Sequence, residues 1–240
     1  VFGVQQNEKT LLASCLGFVL YVTPDFVSAQ AATQQLGDYL GSVAYLPYAE
    51  ETLLYKQKQK TLFQQKRNEA LGLLAEGKLN ALVVCVDALT RPLPEKGQFT
   101  AGILTLQKGQ SLDRDELIRR LVRGGYRREA QITQAGEFAV RGDIVDVSAV
   151  GAGPVRIEFW DTEIDRISFL EEETNLSSRE AEQVTVYPAA EVFVPDGKQV
   201  ARRLEEEARQ QKLQPNARAR LQAVLSEVIA SLEAGTCDNA

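Results

Sequence analysis

From Gly136 to Trp160 the chain reads GEFAVRGDIVDV, then a glycine-flanked break from Gly151 to Gly153, then PVRIEFW. Successive side chains of a strand point to opposite faces, so residues two apart share a side. The pattern therefore predicts short antiparallel strands joined by turns. Val155, Ile157 and Phe159 face one way, and Arg156, Glu158 and Trp160 the other. In the partner strand Phe138 and Val140 share the apolar side, which leaves Ala139 and Arg141 opposite. The product is a small sheet with one apolar face and one face carrying Arg141, Arg156 and Glu158. The plainest role for such a face is to meet water, as antiparallel sheets commonly do on one side.

The chain around this sheet divides by periodicity and punctuation. Before it, Leu11 to Leu16 reads as a helix start, Phe18 to Val22 as a buried parallel strand and Ser28 to Leu40 as a helix. A strand at Val43 to Leu46, a helix at Leu62 to Leu74 and a strand at Ala81 to Val86 continue the alternation. Alternating strands and helices imply a doubly wound, mostly parallel sheet. Asp113 to Val122 is expected to be a helix stopped by Gly124-Gly125. Strands at Ile144 to Val147, Arg166 to Leu170 and Val184 to Tyr187 complete the antiparallel part. Beyond Pro195 two helices are expected, separated by Pro215-Asn216, the second with an apolar stripe at Leu221, Val224, Leu225, Val228 and Leu232.

Near the start, Gly3 to Thr10 has the outline of a phosphate-binding loop, G-x-x-x-x-G-K-T, with Glu8 in place of the second glycine. A working loop closes backbone N–H groups around phosphate, with Lys9 and Thr10 reaching phosphate and magnesium. Glu8 puts a side chain and a negative charge at that approach. Two like charges about 4 Å apart repel by roughly 4 kcal/mol at an effective dielectric near 20. The run Leu82 to Asp87 ends in one acid followed by Ala88, so the acidic pair that would hold the metal is missing as well.

Composition narrows the function classes. The chain has no histidine, which removes Ser-His-Asp and Cys-His catalysis and histidine-ligated metals. Cys15, Cys85 and Cys237 are too few and too scattered for a disulfide framework or a zinc site. No catalytic residue, metal or cofactor is expected. No apolar run approaches the ~18 residues that span a membrane, and no signal-peptide pattern is present, so a cytoplasmic protein with no membrane partner is expected. Net charge is −6, against tight nonspecific DNA binding. The charge is uneven: Arg119, Arg120, Arg123, Arg127 and Arg128 cluster without an acid between them, while Glu158 to Glu182 is strongly acidic. Such polarity suits a protein partner with complementary patches.

GEFAVRGDIVDV followed by VRIEFW, DTEIDRI and VYPAAEV, after the lead-in KGQSLDRDELIRRLVRGGYRRE, resembles the UvrB-homology region of bacterial transcription-repair coupling factors (Mfd), a pattern shared in variant form with the excision-repair protein UvrB. The resemblance runs over nearly the whole chain. It implies an α/β fold: a degenerate P-loop NTPase-like parallel-sheet domain with an inserted small antiparallel β-rich (α+β) domain. The borders it suggests are 1–106 for the first part of the nucleotide-binding-fold domain, 107–192 for the insert and 193–240 for a helical return.

The resemblance further implies that the insert binds the damage-recognition protein UvrA. Matched residue by residue, the binding positions are Arg128 or its neighbour Arg127, Arg141, Arg156 and Glu158. Ala139 stands where UvrB has a further arginine, and Ser148-Ala149 where the family commonly has Phe-Pro. Charge reversal at Arg156 is expected to abolish binding without loss of fold. The degenerate loop Gly3, Glu8, Lys9, Thr10 implies no nucleotide chemistry. The whole protein is expected to continue into a polymerase-binding module and an ATP-dependent DNA translocase, so that RNA polymerase and DNA are partners only through other domains. The alternative is a UvrB-type ATP- or DNA-binding fragment, the latter using the arginines of 119–128.

Overall fold

The computed structural model describes residues 6–48, 57–90, 92–171, 176–191 and 197–210, with residues 218, 221, 222, 225 and 226. It is a mixed α/β structure with parallel and antiparallel sheets, and its backbone contacts divide it into two units. One comprises residues 1–103, 150–152 and 185–191; the other comprises 104–149, 153–184 and 192–240. Gly3, and most of the helix read beyond Pro215, lie outside the described residues.

In the first unit, α1 (Gln6–Ser14), β1 (Val19–Thr23), α2 (Phe26–Gly37), β2 (Val43–Leu46), α3 (Gln57–Ala75), β3 (Ala81–Cys85), α4 (Val86–Leu89) and α5 (Lys96–Ala101) follow one another. The sheet is parallel in the order β1-β3-β2. All five residues of the central β3 are buried, which explains why ALVVC is an uninterrupted apolar run. Asp25 caps α2 by accepting from the Ser28 N–H at 2.8 Å. The small Ala29 and Ala32, with Leu36, let the helix lie close on Val19, Ala81 and Val83.

Tyr187 completes this unit from far along the chain. Its ring is buried against Gly72 of α3 and Gly151, and a methyl group at either glycine would come within 2.5 Å of the ring. Its hydroxyl donates to Glu76. Burial, then that bond, push the phenol's pKa up. Close by in sequence, Glu191 pairs with the wholly buried Arg67 of α3, Nε to Oε1 at 2.8 Å, and Arg67 also donates to the Pro47 carbonyl at 3.1 Å.

The second unit contains β4 (Leu104–Gln107), α6 (Arg114–Arg123), β5 (Arg127–Arg128), β6 (Glu137–Arg141), β7 (Ile144–Ala149), β8 (Gly153–Trp160), β9 (Glu163–Leu170) and β10 (Ser177–Glu180); β4 pairs with β11 (Gln183–Val186), and α7 (Gly197–Gln210) follows. The six-stranded sheet runs β10-β9-β8-β7-β6-β5, antiparallel except for the short β5–β6 pairing. Asp113 caps α6 through the Glu116 N–H, and Gly124 and Gly125 end it, as the sequence predicts. Register places Phe138, Val147 and Val155 in one buried row and Val145, Ile157 and Ile167 in the next.

Gly151 and Gly142 both have positive φ, +86° and +59°, but only Gly151 also faces a wall of atoms. Left-handed backbone costs a side chain roughly 1–2 kcal/mol. Gly142→Ala is expected to lower stability by about that amount. Gly151→Ala must also displace the Tyr187 ring and is expected to lose more than about 3 kcal/mol, nearer the cost of overpacking a core added to the strain. Urea unfolding followed by circular dichroism compares the two.

Candidate protein-interaction face

The polar face of the antiparallel sheet is built by register. Glu137, Ala139 and Arg141 of β6 lie on it, and Ala139 stands opposite Asp146, Asp146 opposite Arg156, and Arg156 opposite Ser168. The next row runs Arg141, Ile144, Glu158, Arg166. Trp160 continues the face beyond Glu158, and the pairing of Arg127 with Glu137 puts Arg127 on the same side. Arg128 pairs with Phe138 and falls on the other side. Of the two candidate arginines at this point, geometry joins Arg127 to Arg141, Arg156 and Glu158.

One end of the face is closed. Residues 130–136 fold over it, with Ile132 packed on Ala139 and Leu170. The closure is held by Glu137, only 4% exposed, whose carboxylate accepts from the Thr133 N–H and hydroxyl and the Gln134 N–H and side-chain amide at 2.8–3.1 Å. Burial works to raise the Glu137 pKa, but these four donors outweigh it and hold the carboxyl below the usual glutamate range. Arg127 approaches the same carboxylate at 3.9 Å.

The middle of the face is a fork. Arg156 Nε and Nη2 donate to the two oxygens of the buried Asp146 at 2.7 and 2.9 Å. This bidentate bond is the strong form of a charge pair, and it raises the guanidinium pKa further. Arg156 is therefore occupied within the sheet. Its reversal to glutamate would set two carboxylates facing each other, which argues against the expectation that Arg156→Glu leaves the fold intact.

The open end carries the accessible charge. Arg141 is exposed and makes one hydrogen bond, to the Ala130 carbonyl at 3.3 Å, with no acidic partner among the described residues. Glu158 is half-buried, 3.9 Å from Arg166, whose main partner is Glu180 at 2.6–2.8 Å. The arginines of α6 are mostly paired: Arg119 and Arg120 both return to Glu116. Bonds from Arg120, then Arg119, hold that carboxyl low. A free basic stripe for nucleic acid is therefore much reduced. Arg114 reaches the turn between β6 and β7, donating to the Gly142 carbonyl at 2.7 Å.

Sequence reading missed Asp146, Glu137 and Arg166 as parts of this face, and placed Trp160 on it without giving it a role. Asp146 was accessible in principle, because counting outward equally from Gly151 pairs it with Arg156. Glu137 gave no signal, since its partners come from a loop without periodicity.

At the N-terminal motif, Glu8, Lys9 and Thr10 lie within α1, earlier than the helix start expected at Leu11. Thr10 is buried and its hydroxyl donates to Gln35 at 3.3 Å. Among the described residues no cluster of acids and cysteines is placed to hold a metal ion, and no helix is long and apolar enough to cross a membrane.

Comparison with known proteins matches residues 104–192, which contain the whole face, to the UvrB interaction domain family. The chain is also 28% identical over 205 residues, 85% of its length, to the transcription-repair-coupling factor of Staphylococcus aureus strain bovine RF122, and 28% identical over 180 residues, 74% of its length, to that of Staphylococcus haemolyticus. It spans 17% and 15% of those two relatives. These matches support the recognition, drawn from the motifs, of an N-terminal UvrB-homology region of coupling-factor type.

A carboxylate held low in the fold contributes stability that is present above its unfolded pKa, about 4.3, and lost as pH falls through the lower folded value. Glu137→Gln removes that contribution. Wild type is expected to be more stable than Glu137→Gln at pH 7, with the difference shrinking below about pH 4.3. Urea midpoints measured across that range check this; a difference independent of pH would place the stabilisation elsewhere.

Proposed function

We propose that this chain is the protein-interaction arm of a transcription-repair coupling factor and that it binds UvrA through the open end of the polar face. The observation that carries the reading is the coincidence of the UvrB interaction domain, residues 104–192, with a face whose exposed Arg141 lacks an acidic partner among the described residues. Arg141, Arg127 and Glu158 are assigned to the contact. Arg156 is assigned a positioning role, since its fork with Asp146 holds β7 and β8 in register beneath Glu158. Arg128, on the other side of β5, borders the contact.

In this reading the whole protein recruits UvrA to stalled RNA polymerase in the cytoplasm, and meets polymerase and DNA through parts beyond this chain. The chain itself carries no catalysis. Its parallel-sheet unit is read as a degenerate P-loop NTPase-like domain over 1–106, followed by the insert, 107–192, and the return, 193–240. Support comes from Glu8 in place of the loop glycine and from the Thr10 hydroxyl, which is bonded to Gln35 where a working loop would offer it to magnesium.

Truncating a buried interfacial charge typically costs roughly 2–5 kcal/mol. Arg141→Glu is therefore expected to weaken UvrA binding by at least about 30-fold, with the circular dichroism spectrum unchanged. Arg156→Glu is expected to lose the folded spectrum itself. Calorimetric titration of purified UvrA reads the first; undiminished binding by a folded Arg141→Glu would end the assignment of this face.

A further inference from the structure

Trp160 is the chain's one tryptophan and, at 79% exposed, the most exposed large apolar side chain among the described residues. We propose that Trp160 is the anchor of the docking face, inserted on binding into an apolar pocket of the partner whose rim offers a cation to Glu158 and a carboxylate to Arg141. This rests on the reading that the partner is UvrA, and adds the residue that contributes most to the contact.

Three observations carry it. Trp160 lies on the polar face by strand alternation, next to Glu158 on β8 and directly opposite Glu163 on β9. It is therefore continuous with the open end where Arg141 and Glu158 sit. The backbone beneath it is held from both sides. The Phe159 N–H donates to the Asp143 carbonyl at 2.9 Å, the Leu112 N–H to Thr162 at 2.9 Å, and residues 109, 110 and 164 exchange bonds at 2.8–3.0 Å. The indole is thus presented on a fixed tip, so little backbone freedom is lost on docking. Interface hot spots are enriched in tryptophan and arginine for this combination of area and polar edge.

The surrounding charge decides the class of partner. An exposed aromatic can also stack on a nucleic-acid base. Here Glu158, Asp161 and Glu163 flank the indole in the strand and turn, and three carboxylates repel a phosphate backbone. The nearest arginine on this face, Arg166, is already paired with Glu180. A protein surface with a basic rim fits; a nucleic acid does not.

Because Trp160 stands alone, a 5-fluorotryptophan label in this chain gives one fluorine resonance. Unlabelled UvrA is added, with affinity measured in parallel by calorimetry for wild type and Trp160→Ala, and folding confirmed by circular dichroism. The expected result is a shifted or broadened resonance that loses its water-to-heavy-water solvent shift, and binding at least about 30-fold weaker for folded Trp160→Ala. Wild-type binding that Trp160→Ala leaves unchanged, with the resonance still solvent-exposed, overturns the anchor and leaves the UvrA reading standing. No UvrA binding by either protein overturns both. A resonance that responds to a single-stranded oligonucleotide and not to UvrA overturns the choice of a protein partner.

Discussion

Asp146 places an acidic side chain, nearly sealed from water, in a sheet whose other face is packed with buried valine, isoleucine and phenylalanine. Such a charge is tolerable only with a partner of matching geometry, and Arg156 supplies it across the β7–β8 pairing. A slip of one residue between these strands would turn every side chain of one strand to the opposite face. It would also leave a buried carboxylate alone. The fork therefore acts as a registration mark, and the positions of Glu158, Ile144 and Arg141 follow from it.

Much of this was legible from alternation alone. VRIEFW has one set of residues buried and the other polar, and the structure agrees residue by residue from Val155 to Trp160. Strands Val43–Leu46 and Ala81–Cys85 coincide with their apolar runs. What was not legible has a common cause. β5 is two residues long, and β10, SSRE, is fully exposed, so neither has a hydrophobic period to read. The closing loop at 130–136 depends on a carboxylate meeting backbone N–H groups, which no pattern of residue types records. Helix α3 starts five residues before the stretch read as helical, because QKQKT carries no apolar periodicity.

The same limit governs charge. Counted along the sequence, 119–128 is a basic cluster; in space Arg119 and Arg120 turn back one helical turn to Glu116, and Arg127 leans toward Glu137. A residue's availability to a partner is set by what its neighbours across a strand or a helical turn already take up. By that measure Arg141, with only a backbone carbonyl, differs in kind from Arg156, although both are arginines on one face.

Arg67 and Tyr187 give the parallel-sheet unit a property of a different sort. Arg67 is wholly buried, and its counter-ion Glu191 lies more than a hundred residues later in the chain; the slot formed by Gly72 and Gly151 is filled by Tyr187 from the same distant stretch. The unit is consequently discontinuous in its energetics as well as in its path. A recombinant piece ending near residue 103 would expose an unneutralised guanidinium and keep only the Gly72 wall of the aromatic slot. Any fragment designed to isolate the parallel sheet has to bring residues 150–152 and 185–191 with it, through shortened linkers or as separate peptides supplied in trans.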